Sequence, residues 1–163
     1  MNFNAPTAST RLGKFTLKRS TILLCATVLF AGAAFAHTGV KNAAVKARMD
    51  AMSGIGAEMK ILGQMAKGVT TFDQKAAQAA AASIAKLAGV TPALFEANED
   101  DPKSEAKAEI WTNFDDFVKL SRALEITATG LSASIGSKAD VSLAMKSLGA
   151  SCQACHKTYR EKN

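Results

Sequence analysis

An all-α chain folded as an antiparallel four-helix bundle is what the sequence predicts, on three observations. Residues 37–163 are rich in Ala, Lys, Leu and Met and show little of the apolar–polar alternation of strands. Only Pro92 and Pro102 interrupt that stretch. Its apolar residues recur at spacings of three and four in four separate runs. The joints between runs are mostly short, which folds consecutive helices back against each other.

The first helix is expected from about Val40 to Lys67, on a seam of Val45, Met49, Met52, Gly56, Met59 and Gly63. Thr71-Phe72-Asp73-Gln74 reads as a Thr-x-x-Gln capping box opening the second. That helix runs through an alanine-rich segment to Ala88, with Gly89 as its C′ residue and Pro92 soon after. Val90–Lys103 then reads as a loop containing Pro92, Asn98, Asp100, Asp101 and Pro102. The third helix is expected from roughly Ser104 to Ser134, with Ile110, Phe114, Phe117, Leu124 and Leu131 on one seam. Ser137-Lys138-Ala139-Asp140 caps the fourth, where Val141, Met145, Leu148, Cys152, Cys155 and Tyr159 share one face. For most of these seam residues, filling a bundle core is role enough.

The N-terminus has a different character. Residues 1–20 carry Arg11, Lys14, Lys18 and Arg19 and no acid, and an apolar run follows from Thr21 to Phe35. The run closes on Ala34-Phe35-Ala36, which completes the pattern of a secretory signal peptide, residues 1–36, cleaved after Ala36. It is shorter than the roughly 20 residues that span a bilayer, so no stable membrane anchor is expected. Cys25 follows Leu23-Leu24 and lacks the small preceding residue of a lipid-attachment site. Residues 37–163 then form one small domain, begun by His37, to which no role is assigned.

Cleavage changes the charge argument. Four of the cations behind the net charge of +6 lie in the leader, leaving about +2 for residues 37–163. No basic stripe with interleaved aromatics remains, which argues against nucleic-acid binding. Only Cys152 and Cys155 remain as cysteines, with none to spare for a further disulfide.

Those two belong to Cys152-Gln153-Ala154-Cys155-His156, the C-x-x-C-H pattern of covalent haem c attachment. Two thiols add across the haem vinyl groups, and the adjoining imidazole reaches the iron as proximal ligand. A bare C-x-x-C also suits thiol–disulfide exchange or half a zinc site. Zinc lacks further ligands here, since His37 is the only other His or Cys of the exported segment. A redox dithiol needs neither the trailing His nor the helical register that puts both cysteines on the buried stripe.

A C-x-x-C-H near the end of a four-helix chain resembles the class II cytochromes c, the cytochrome c′ family. The resemblance spans nearly all of residues 40–162. It takes in Leu62-Gly63, Ala66-Lys67-Gly68, Phe72-Asp73, Thr91-Pro92-Ala93-Leu94-Phe95 and Glu109-Ile110-Trp111. It ends in Gly149-Ala150-Ser151, the motif itself, and Tyr159-Arg160. It implies a cytochrome c′-like bundle enclosing one covalent haem c, with Cys152 and Cys155 as thioethers and His156 as proximal ligand.

The resemblance also implies a choice at the sixth iron position. A high-spin branch blocks that face with an apolar residue, and a low-spin branch ligates the iron with a methionine. Arg48 resembles the first-helix arginine near the haem, and Met52 falls four residues on, at the sixth-ligand position. The stretch from Met52 to Gly63 is also similar to the low-spin branch. Arg160 resembles an arginine near the haem and its propionates. From spacing alone, methionine is equally a core filler. Met49 lies about 60° around the helix from Met52, one turn earlier, and is its nearest rival; Met59 is roughly 10 Å along the axis and cannot serve the same iron.

The function expected is a periplasmic one-electron carrier with His156/Met52 ligation, exchanging electrons with redox protein partners. No convergent acid–base group is visible, so the chain does not read as an enzyme. Phe95, Trp111, Phe114 and Phe117 are candidates to keep the pocket dry. Two other readings stay open: a five-coordinate protein binding nitric oxide or carbon monoxide, and a haem-free redox dithiol. Whether two bundles pair as a homodimer is open as well.

Overall fold

The computed structural model describes Met1, Asn2 and residues 39–162. The expected leader, its cleavage site, Cys25 and His37 lie outside the described residues. The chain divides into Met1–Ala36 and His37–Asn163, and all the helices described belong to the second part. They are α1 (Ala43–Lys67), α2 (Gln74–Leu94), α3 (Glu109–Thr112), α4 (Phe114–Ser134) and α5 (Lys138–Tyr159). None is long and apolar enough to cross a membrane.

The four long helices form a ring in which α1 and α4 each pack against both α2 and α5. Cross-helix contacts give the directions. On α1 and α2, Arg48 bonds the carbonyl of Leu94 while Gly54 faces Leu87. On α2 and α4, Gln78 donates to Ile135 O and Ser121 to Ala88 O. Gly63 and Gly68 of the α1 end face Met145 and Lys138 of α5, and Tyr159 reaches Asp116 of α4. Residue numbers rise on one helix as they fall on its neighbour each time, so the bundle is antiparallel as the sequence predicts.

Local chemistry sets the helix ends. Asn42 Oδ1 accepts from the Ala44 and Val45 N–H groups at 2.9 and 3.0 Å. Gly68 stops α1 in the left-handed region at φ 73°, where a Cβ is unfavourable, and its neighbour Val69 returns an N–H to Gln64 O. Ser137 caps α5 as expected, with Asp140 answering to the Gly136 N–H and the Ser137 hydroxyl. For α2 the cap is Asp73, which accepts from the Ala76 N–H at 3.0 Å, and not Thr71. A carboxylate at the positive end of a helix is the stronger acceptor.

Two expected boundaries are corrected. α2 does not stop at Ala88 but continues through Gly89 and Pro92 to Leu94. Pro92 has no N–H for the carbonyl of Ala88, and the Ser121 hydroxyl donates its O–H there at 2.8 Å. Gly89 leaves room on the α4 side, where a Cβ would come within 2.8 Å of Glu125. The helix expected from Ser104 to Ser134 is split. Residues 104–107 are extended and tied to the end of α5, and Asn113 breaks the chain at φ −130°, ψ 42° between α3 and α4.

The interior has two separate apolar clusters. An aliphatic one gathers Ile55, Leu62, Ile84, Ala128, Val141 and Leu148 with the alanines of α2. An aromatic one holds Phe95, Ile110, Phe117 and Tyr159. Each fully buried Leu or Ile contributes about 1.5–3 kcal/mol relative to exposure. On α1 the buried stripe is Val45, Arg48, Ala51, Ile55, Leu62 and Met65, which shares Val45 with the expected seam and then runs one position off it, and Gly56 is exposed. A three–four repeat fixes a helix face only to about one residue, since each step turns 100°.

Candidate haem-binding site

A cavity of about 380 Å³ opens where α1, α2, α4 and α5 converge with the extended residues 104–106. That is within the usual range for small-molecule sites. The α5 wall follows from its period: Leu148 and Tyr159 are buried, and Cys152 and Cys155, on the same face between them, are half-buried against the cavity. His156 lies at its exposed rim.

The surroundings of the two thiols decide between readings of the motif. Burial pushes Cys155 up to about 11, with Cys152 and Asp116 adding to the rise, and burial also raises Cys152. A thiol–disulfide catalyst needs a stabilised thiolate and hence the opposite shift. His156 is held below its ordinary value first by burial and then by the charge of Arg160, with Glu105 opposing. The imidazole is therefore neutral near pH 7, the form that binds a metal. Among the described residues no cluster of three or more His, Cys, Asp or Glu side chains is arranged to hold a bare metal ion.

From α1, Met52 enters the cavity while packing on the aliphatic cluster. Met49 lines the same cavity, whereas Met59 packs on the aliphatic cluster away from it. Arg48 is also at the wall, 3% exposed, but its guanidinium is bound to the chain itself. Nε donates to Leu94 O at 2.9 Å, Nη1 to Glu99 O at 2.7 Å and Nη2 to Ala97 O. The guanidinium also lies 4.8 Å from the Phe95 ring centre and 5.3 Å from that of Trp111. Its visible work is to hold the loop after α2 in place.

Of the four aromatic candidates, Phe95 and Phe117 line the cavity, 4.9 Å apart. Trp111 and Phe114 stand behind them: the indole N–H donates to Phe95 O at 2.8 Å, and the Phe114 ring stacks on Phe117. Arg160 reaches the rim, where its Nε and Nη2 both bond Glu105 Oε2, at 2.7 and 2.6 Å. Glu105, Ser121 and the Tyr159–Asp116 hydrogen bond of 2.8 Å are parts of this site that pattern reading missed. Each depends on a partner far away in sequence, and no local signal carries it. Two half-buried thiols on a largely apolar wall, a neutral imidazole at its rim and a thioether lining the same cavity make a donor set that fits haem c.

The comparisons with known proteins agree. The family profile described as Cytochrome C′ matches residues 43–160. The chain is 36% identical over 147 residues to cytochrome c-556 of Agrobacterium fabrum, covering 90% of this chain and 97% of that one. Its fold superimposes on cytochrome c′ from Rhodopseudomonas palustris with a TM-score of 0.70 at 27% identity, over 76% of this chain and 99% of the other. A nitric oxide complex of a variant cytochrome c prime from Alcaligenes xylosoxidans superimposes with a TM-score of 0.65 at 27% identity, over 73% and 94% of the two chains. With one C-x-x-C-H motif set into one cavity of this bundle, and covalent haem c as the cofactor of such cytochromes, the chain is a monohaem c-type cytochrome belonging to the cytochrome c′ family.

Proposed function

We propose that this cytochrome carries single electrons between redox protein partners in the periplasm. Its haem is joined to Cys152 and Cys155, with His156 as proximal and Met52 as distal ligand. The observation that carries the reading is that Met52 of α1 and His156 of α5 line one cavity from neighbouring helices, with both cysteines on its wall. The bound haem supplies an iron that takes up and releases one electron.

The protein's own side chains do the rest. A neutral His156 and a thioether at Met52 are both uncharged donors, and a soft sulfur favours the reduced state. Phe95, Ile110, Phe117, Leu120 and Leu124 make the cavity wall apolar, which limits water access. Export rests on the leader at residues 1–36, and mass analysis of the secreted protein should find His37 as the first residue. The test of ligation is the optical spectrum of the matured protein, where a ferric His/Met site gives a weak band near the red edge.

The second reading, a five-coordinate protein that binds nitric oxide, is favoured by the likeness to the nitric oxide complex described above. In that case Met52 only packs over the iron, the wild-type spectrum is high-spin, and the red-edge band is missing.

A further inference from the structure

The segment between the loop and α3 is stitched to the end of α5 at several points. Ala106 and Arg160 form an isolated antiparallel bridge, Lys107 N–H donates to Tyr159 O at 3.1 Å, and Glu161 N–H donates to Glu105 O at 2.8 Å. Upstream, Asp101 ties the same segment to α1 by accepting from the Lys41 and Asn42 N–H groups. Glu105 is therefore fixed from both sides, and its Oε2 takes two N–H groups of Arg160. Arg160 stands one helical turn beyond His156, and its own N–H donates to His156 O at 3.2 Å. All three residues line the cavity. Lys107, two residues beyond Glu105, pairs with Glu109 at 3.7 Å.

We propose that Glu105 is a positioning residue that holds Arg160 beside the proximal histidine and neutralises its charge, so that the reduction potential of the site is buffered against an uncompensated cation. An uncompensated cation there stabilises the reduced, less positive centre, and an uncompensated anion stabilises the oxidised one. The two members of the pair thus act with opposite signs. The side chains are 51% and 35% exposed for Arg160 and Glu105, so the effect is partly screened by solvent and salt.

This inference rests on the one-electron reading above but not on Met52 as ligand. The experiment is an optical redox titration of the holo-protein, comparing wild type with Glu105→Gln, Arg160→Gln and the double variant. Glu105→Gln should raise the equilibrium constant for reduction about three- to tenfold, tenfold being 59 mV for one electron. Arg160→Gln should lower it by a similar factor, and the double variant should return to within about twofold of wild type. Glu105→Asp should keep most of the wild-type value, and about 1 M salt should shrink both single shifts. Single variants that both shift the same way, or neither by as much as twofold, overturn the proposal. A wild type that cannot be cycled reversibly overturns the one-electron reading beneath it and is seen before any variant is made.

Discussion

The hydroxyl of Ser121 donates at 2.8 Å to the carbonyl of Ala88, the acceptor that Pro92 would otherwise leave without its helical partner. One side chain of α4 thereby lets α2 run past a proline and deliver Thr91, Leu94 and Phe95 to the cavity end of the bundle. Ala88 is 1% exposed, so water cannot take over the bond. Ser121→Ala should destabilise the protein by about 1–3 kcal/mol, the cost of a buried acceptor left unmet. Urea unfolding of the two proteins measures it, and an unchanged midpoint would refute the role.

Met52→Leu nearly conserves volume and should cost less than about 1.5 kcal/mol in stability. It should nevertheless turn a low-spin spectrum high-spin and let carbon monoxide bind readily. Met49→Leu, on the same wall, should leave the spectrum as it was. The reverse pattern moves the ligand to Met49.

Replacing both Cys152 and Cys155 by Ala should abolish covalent attachment, so that acid–acetone strips any remaining pigment. The same variant should melt with a broader and lower transition, because a large apolar partner of the cavity wall is gone. An apo-protein that melts as sharply and as high as the holo-protein would contradict this.

Asp101 gives the acid response a specific seat. Its carboxylate accepts backbone N–H bonds from Lys103, Asn42 and Lys41, which hold it below the ordinary carboxylate range. A depressed carboxylate stabilises the fold above its unfolded value of about 3.8 and loses that contribution as pH falls through the folded value. Asp101→Asn should therefore destabilise the protein near pH 7, and the gap from wild type should close progressively below about pH 3.8. Denaturant unfolding across that range checks the sign, and a gap that widens with acid would be the wrong outcome.

Much of the bundle was legible in the chain because its signals are periodic. The face carrying Val141, Leu148, Cys152, Cys155 and Tyr159 repeats every three or four residues, and the cap at Ser137 lies next to what it caps. What escaped depends on contacts distant in sequence. Pro92 looked like a stop because the hydroxyl that compensates for it lies 33 residues from the carbonyl it bonds. The extended run at 104–107 looked like the start of a helix because its partner in pairing is about 55 residues on. Arg48 resembled an arginine near the haem, and its bonds to the carbonyls of Leu94 at the end of α2 and of Ala97 and Glu99 beyond it leave no pattern to read.

The two apolar clusters share no residue, yet the same helices run through both. α4 gives Phe117 to one and Ala128 to the other, and α5 gives Tyr159 and Leu148. The cavity lies between them, lined by Met52 and Leu124 from the aliphatic cluster and by Phe117 and Cys155 from the aromatic one, so the group it holds joins the two into one interior. Removing the haem should therefore leave hydrogen exchange slow around Leu148 and Ala128 and speed it toward Cys155 and Phe117. The aliphatic half is packed by its own side chains, and the aromatic half is completed by the haem.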